Sequence, residues 1–450
     1  MGQKSVNLIL FIEGIISVAL QVFVMRQLIP FIGSSVVAMS MVISVFLSAL
    51  ALGYYVGGKK KEGLSLELSN NFLLSAFLIG VFISYPFIDL FFNAFDINEI
   101  VNGFVYLFVF LFPVVFKLGQ TVPIMTNYVK QDGVSEIAGY SFAINTVGSV
   151  VGGLLTSLVF LYFFGVASTI MIFVVTLCCL SISIHFDNKR FLFVLVIVGL
   201  SYFFNSYYEN IRFIKTNNYS NYEVIKKDTF YSEKNKILVM NNSWASKNYA
   251  DREGFEYVEY IKYFLFDVLE KKGEDILVIG SGGFTMTFGE EGAYGNSFTY
   301  VDIDKDLIDV AEEHFLDKKV ANTFIAKDGR IFIKNSDKKY GITMVDVYTH
   351  KGSIPWHFTT IEFMKEVKSV TEENGWVVFN VIGSKNFGDK KTLSIHNTIS
   401  AVFNNCFVSP FLEKDLNYNT NIVYLCKNTN FKKVYSDNYE GHSIDEMMRN

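Results

Sequence analysis

Apolar positions run almost unbroken through the first 206 residues. The stretches fall at 5–25, 35–57, 71–92, 101–126, 137–164, 166–185 and 191–206. Crossing a bilayer as a helix takes about 20 apolar residues, so each is a candidate span. The last is short: 191–204 barely reaches across at about 1.5 Å per residue. Beyond 206 the pattern breaks into brief apolar runs between polar turns. Stretches 222–225 and 236–240 read as strands, and 255–269 as a helix. An alternation follows, with strands at 275–279, 298–302, 323–326, 342–345 and 376–381. A helix at 305–315 shows apolar Leu307, Ile308, Ala311 and Phe315 on one face. Strands alternating with helices predict a parallel, doubly wound sheet. The expected fold is an all-α transmembrane helical bundle followed by an α/β Rossmann-like domain. The expected division is a transmembrane domain of six or seven helices over 1–208, a small β-rich part with a leading helix over 209–273, a nucleoside-binding domain over 274–430 and a polar tail over 431–450.

Charge sharpens this division. The first 205 residues carry nine Lys/Arg and nine Asp/Glu, of 39 and 44 in the whole chain. A wholly soluble or a disordered protein is excluded. A net charge of −5 leaves no electrostatic footprint for nucleic acid. No cleavable signal peptide is expected, because the first run lacks a small-residue cleavage site. The four cysteines read as packing residues, and no metal site is expected.

Lys/Arg asymmetry orients the spans. Lys4, Lys59, Lys60, Lys61, Lys130, Lys189 and Arg190 fall on the N-terminal side, and Arg26 on the other. The N-terminus is expected in the cytosol. Seven spans would then place the C-terminal half outside, and six inside. An S-adenosyl ligand is made in the cytosol, so a multi-pass membrane protein with a cytoplasmic soluble domain is expected. That requires 191–204 not to cross fully, or a break in the fourth run, where Pro113 and Pro123 flank Lys117 and Gln120. Glu13, Gln21, Lys117, Gln120 and Asn145 are polar positions inside the runs; they suggest function, or Glu13 and Lys117 pair with each other. Gly148 and Gly152 form a GxxxG spacing that suits close helix packing.

Ligands of doubly wound sheets bind beyond the carboxyl ends of the strands. Gly280, Gly282 and Gly283 follow the first strand of the alternation. Asp302 ends the second, about 20 residues on, where a carboxylate meets ribose hydroxyls. Asp328, followed by Gly329, ends the third and can accept from an adenine amino group. Asp346 ends the fourth, close to Tyr348. Asp304 is a candidate cap for the helix at 305–315. This spacing alone leaves NAD and S-adenosyl ligands open. Thr285 and Met286 replace the last part of a G-x-G-x-x-G pattern, which favours the S-adenosyl type.

The soluble half resembles the spermidine synthase (aminopropyltransferase) family in DILVIGSGGFT, YVDIDKDLIDVAEEHF, AKDGR, MVDVYTHKGSIPWHFTTIEF and GWVVFNVIG. The membrane half resembles that family's membrane-fused branch in QVFVMRQLIPFIGSS, FKLGQTVP and GYSFAINTVGSVVGG. The resemblance implies decarboxylated S-adenosylmethionine, or S-adenosylmethionine itself, as co-substrate, with methylthioadenosine released and no metal. Gly280, Gly282, Gly283, Asp302, Asp328 and Gly329 would hold the nucleoside. Asp346 and Tyr348 would be catalytic, Asp346 taking a proton from the attacking amine. Tyr348, Trp356 and His357 could line a cation-tolerant wall. Three positions depart from the family pattern: Gly283 stands for a loop aspartate that grips the aminopropyl ammonium, Thr349 for a second gate acid, and Ala245 for a glutamine. Expected partners are the lipid bilayer, a small amine or membrane-borne acceptor, and a second copy in a homo-oligomer, with no nucleic acid. The expected function is a membrane-anchored aminopropyltransferase. The alternatives are another S-adenosyl-dependent enzyme, a lyase or a transferase on a lipid or membrane substrate, or a non-catalytic adenosyl-ligand sensor.

Overall fold

The computed structural model describes residues 2–33, 36–95, 98–129, 134–226, 235–249, 254–287, 295–348, 353–411 and 420–429. The chain divides into two units. The first is Met1–Gly254 with Asp306–Val320 and Tyr348–Pro355; the second is Phe255–Lys305, Ala321–Val347 and Trp356–Asn450.

The first unit is built on apolar helices: α1 Gln3–Ile32, α2 Val36–Gly58, α3 Leu64–Phe82 and a short α4 Tyr85–Ala94, then Glu99–Tyr128, Ser135–Ile184 and Asn188–Arg212. Among the described residues, six helices are long and apolar enough to cross a membrane. The longest of them, Ser135–Ile184, is not straight. Gly165 adopts φ +76, a value outside helical space that glycine tolerates. The rings of Phe160 and Phe173 lie 6.5 Å apart, whereas thirteen residues of straight helix would cover about 20 Å. The chain therefore doubles back at Gly165 and supplies two segments of crossing length.

Two sequence expectations change here. The run set at 191–206 is part of a 25-residue helix, Asn188–Arg212, longer than a bilayer core requires. Its polar end stays helical because its side chains find partners: Asn205 donates to the Gly80 carbonyl (2.8 Å), and Glu209 accepts from the Ala167 N–H (2.9 Å). Glu13 and Lys117 do not pair. Glu13 accepts from Ser17 and Asn145, both at 2.5 Å, and Lys117 makes no ion pair among the described residues. The helix Glu99–Tyr128 is interrupted at Gln120, between Gly119 and Thr121, and Asn71 donates to the Gln120 side chain (3.0 Å). The GxxxG reading holds. A Cβ on Gly148 would sit 2.2 Å from the Phe11 carbonyl oxygen, and one on Gly152 2.1 Å from that of Ile15, so two backbones meet where a side chain would part them.

The first unit also carries a four-stranded antiparallel sheet of β1 Lys215–Thr216, β2 Asn221–Lys226, β3 Lys236–Met240 and β4 Ser243–Asn248, in that order. Ala245 lies in β4. The helix Leu307–Val310 is preceded by Asp306, whose side chain makes no cap bond.

The second unit is a seven-stranded mixed sheet. Its strands are β5 Asp275–Ile279, β6 Ser297–Asp302, β7 Thr323–Ala326, β8 Tyr340–Val345, β9 Thr371–Gly383, β10 Cys406–Pro410 and β11 Thr420–Lys427. The order is β10-β11-β9-β8-β5-β6-β7, with β5 to β9 parallel and β10 and β11 antiparallel. Residues 276–279 and all of β8 are buried; strands covered on both faces need such unbroken apolar runs. The order reverses between β5 and β8, a switch point where a crevice opens. At the far edge, register sets Cys406 opposite Cys426, and the two form a disulfide. Their reading as packing residues is corrected: 20 positions apart in sequence, they become neighbours only through strand pairing.

Candidate active site at the strand ends of the second unit

The glycine loop leaves β5 at the switch point. Gly280 has φ +87, and its N–H donates to the Val301 carbonyl (2.9 Å). A Cβ there would lie 2.1 Å from the Asp346 carbonyl oxygen. Only glycine lets the ends of β5 and β8 come this close. Gly282 also has positive φ, and Gly283 is buried, presenting backbone alone. Phe284 is a non-glycine residue with φ +60. Its buried ring packs against Tyr300 (4.9 Å) and Phe324 (5.6 Å), which holds the loop in that conformation. Ser281 is 6% exposed, and its Oγ has no hydrogen-bond partner among the described residues. A buried hydroxyl without a partner is costly, so the loop retains a bonding capacity that a polar ligand can meet.

Asp302, at the end of β6, faces the loop. Its carboxylate accepts from the Ser281 N–H (3.0 Å) and the Asp304 N–H (3.1 Å). A carboxylate offers about four lone-pair sites, so two remain for a ligand diol. Burial pushes its pKa up to about 6, against the pull of those backbone N–H groups. Asp328 starts the helix Gly329–Lys334 and caps it through the Ile331 N–H (2.9 Å). Its other oxygen lies 3.9 Å from His357 Nε2. A Cβ on Gly329 would fall 2.4 Å from Ile279 Cγ2, so this helix begins directly over the end of β5. Arg330 grips Glu366 through two bonds (2.7 and 2.9 Å) and donates to the His357 carbonyl (2.9 Å), which fixes the turn beside Asp328.

Asp346 follows β8. Tyr257 Oη donates to one carboxylate oxygen (2.8 Å) and Asn380 Nδ2 to the other (2.9 Å). Burial raises its pKa, while both donors favour the ionised form. Tyr257 lies on the helix Glu256–Lys262, and Asn380 on β9, next to Phe379, which is in register with Val345. Sequence reasoning missed both. Asn380 did leave a signal: it is the one polar side chain in the apolar run of residues 376–382.

The structure brings Gly280, Gly282, Gly283, Asp302, Asp328, Gly329 and Asp346 to one end of one sheet. Tyr348, two residues beyond Asp346, belongs to the first unit. Trp356 is 68% exposed and His357 is half-buried. Thr349 and His350 lie outside the described residues, as does the tail beyond 430. Among the described residues, no group of three His, Cys, Asp or Glu could hold a metal ion.

Residues 255–436 match the spermine/spermidine synthase domain family. The chain is 27% identical over 154 residues to the polyamine aminopropyltransferase of Vibrio vulnificus, covering 33% of this chain and 51% of that protein. It is 29% identical over 154 residues to polyamine aminopropyltransferase 2 of Hyperthermus butylicus, covering 32% and 49%. It thus spans about half the length of the curated relatives it matches. The spermidine synthase structure from Thermotoga maritima superposes with a TM-score of 0.38 at 13% identity, over 48% of this chain and 73% of that one. Through residues 255–436, this chain is similar to the spermine/spermidine synthase domain family.

Proposed function

We propose that the second unit binds a decarboxylated S-adenosylmethionine-type sulfonium nucleoside and transfers its aminopropyl group to an amine, releasing methylthioadenosine. The observation that carries this is the meeting of the glycine loop, Asp302, Asp328 and Asp346 at the switch point of one sheet. The family match over the same residues supports it. Asp302 would accept from the ribose hydroxyls and Asp328 from the adenine amino group, while Ser281 Oγ supplies a further bond in the loop.

The chemistry asks little beyond alignment and a base. The amine lone pair attacks the methylene carbon beside the sulfonium. The new C–N bond forms as the C–S bond breaks, and the electron pair stays on sulfur as a neutral thioether. The amine proton passes to Asp346, which Tyr257 and Asn380 hold in place. A second reading, an S-adenosyl-dependent lyase or a transferase on a membrane-borne acceptor, is favoured by Gly283, which puts no carboxylate in the loop to hold a donor ammonium.

Calorimetry with methylthioadenosine on the full-length protein tests the site. Asp302→Ala and Asp328→Ala each remove a charge-assisted hydrogen bond worth about 1.5–3 kcal/mol, and should weaken binding about 10- to 100-fold. Unchanged affinity in both variants would rule out the assignment. Binding should also depend on pH. Above about 6 the Asp302 carboxylate is ionised and acts only as an acceptor; below that it takes a proton and loses acceptor capacity. Wild-type affinity should therefore fall as pH drops below about 6, and Asp302→Asn should flatten the profile. An equally steep profile in Asp302→Asn would assign the dependence to another group.

A further inference from the structure

We propose that the soluble half of this chain lies on the side of the membrane away from the cytosol, delivered there by seven crossings. This stands apart from the nucleoside reading. It rests on the geometry of the first unit, on where its charges lie and on a disulfide.

Hydrogen bonds define the two ends of the helical bundle. At one end, Asn7 bonds Tyr140 (3.1 Å), Asn127 bonds the Lys60 carbonyl (3.0 Å), and Arg190 bonds Asn70 (2.8 Å). These contacts, with the short connection at 59–63 and the Tyr54–Phe142 ring pair (5.3 Å), gather the start of α1, the α2–α3 turn, the end of Glu99–Tyr128 and the turn before Asn188 at a single end. At the other, the Phe31 ring meets Tyr85 (5.4 Å), Val166 N–H donates to Thr216 (3.0 Å), and Arg212 pairs with Asp89 (2.8 Å). The end of α1, the start of α4, the Gly165 turn and the end of the last helix therefore share the opposite end. The segments alternate in direction, and with the reversal at Gly165 they number seven.

The first sheet is fixed at that second end. Arg26 Nε donates to the Asn217 carbonyl (2.7 Å), and Tyr85 to Asn242 (2.6 Å). The chain leaves the bundle there, and no later described helix is long and apolar enough to cross again.

The charges are divided between these ends. Lys4, Lys59, Lys60, Lys61, Lys189 and Arg190 mark the first. Gly33, residues 83–95 with Asn98, and Gly165, at the second, include no Lys or Arg. Two arginines lie at the second end: Arg26, 4% exposed, is engaged by the first sheet, and Arg212 is paired with Asp89. Positive charge in short loops marks the cytosolic face, so the sheet-bearing end faces away from it. The Cys406–Cys426 disulfide of the second unit is a separate observation in the same direction, since disulfides persist in oxidising compartments and are rare in the cytosol. A transferase on that face draws on a donor that has crossed the membrane, so a transport step for the sulfonium nucleoside must precede the reaction.

Labelling in intact cells tests this on the full-length chain with Cys178→Ala and Cys179→Ala, leaving the disulfide in place. An impermeant maleimide should label Lys339→Cys without permeabilisation, and Lys61→Cys only after it. Shielding of Lys339→Cys in intact cells overturns the proposal, whatever Lys61→Cys does. As a second readout, protein extracted under alkylating conditions without reductant should show Cys406 and Cys426 bonded to each other. Free thiols at both would count against it. Neither result depends on catalysis, so failure here leaves the nucleoside site standing.

Discussion

Replacing Asp346 with Asn should lower turnover by about 10²- to 10⁴-fold, the usual worth of a positioned proton acceptor. Methylthioadenosine affinity should change by no more than about threefold. The amide keeps the shape of the carboxylate and can still accept from Tyr257, but it cannot take the proton. Burial raises the Asp346 pKa, so wild-type turnover should rise with pH as the carboxyl ionises, and this limb should disappear in Asp346→Asn. Steady-state rates and calorimetry on the same preparations separate the two effects. Full activity in Asp346→Asn would remove the proton-transfer role.

Gly280→Ala should abolish nucleoside binding and destabilise the second unit. Its Cβ would sit 2.1 Å from the Asp346 carbonyl oxygen, at φ +87. Positive φ alone costs an alanine about 1–2 kcal/mol. The overlap adds to this, because it forces apart β5 and β8 where the crevice opens. Thermal denaturation should show a lower transition for Gly280→Ala, and calorimetry no detectable heat of binding. Gly273 also has positive φ, but nothing lies within 4 Å of a Cβ built there. Gly273→Ala should therefore lose stability through backbone strain alone and keep its ligand. Wild-type affinity in Gly280→Ala would mean that the loop and β8 separate at little cost, and that the crevice is not closely fitted there.

The acids of the candidate site were legible in sequence because each closes an apolar strand. Asp302, Asp328 and Asp346 stand where burial stops and a doubly wound sheet opens to ligand. Tyr257 and Asn380 were not legible as a pair. They are 123 positions apart and meet at Asp346 only because β9 lies beside β8 and the helix Glu256–Lys262 reaches the same carboxylate. Asp328 caps a helix with one oxygen and sets the other 3.9 Å from His357 Nε2. In the membrane half, hydropathy located the helices but misjudged the last, since the polar partners of Asn205 and Glu209 come from distant segments. The reversal within residues 135–184 turns on Gly165, between the apolar runs 137–164 and 166–185 that the hydropathy pattern already separates. The cysteine pair escaped notice for the same reason as Tyr257 and Asn380: strand register, not spacing, makes them neighbours.

The central claim is aminopropyl transfer at the strand ends of the second unit, and product analysis tests it most directly. Full-length protein should be incubated with isotopically labelled decarboxylated S-adenosylmethionine and a panel of small amines, and separately with S-adenosylmethionine, then followed by mass spectrometry. Transfer predicts methylthioadenosine and an aminopropylated amine in equal amounts from the decarboxylated donor, dependent on Asp346. Methylthioadenosine released without amine consumption, or no turnover of the decarboxylated donor by protein that still binds methylthioadenosine, would contradict it.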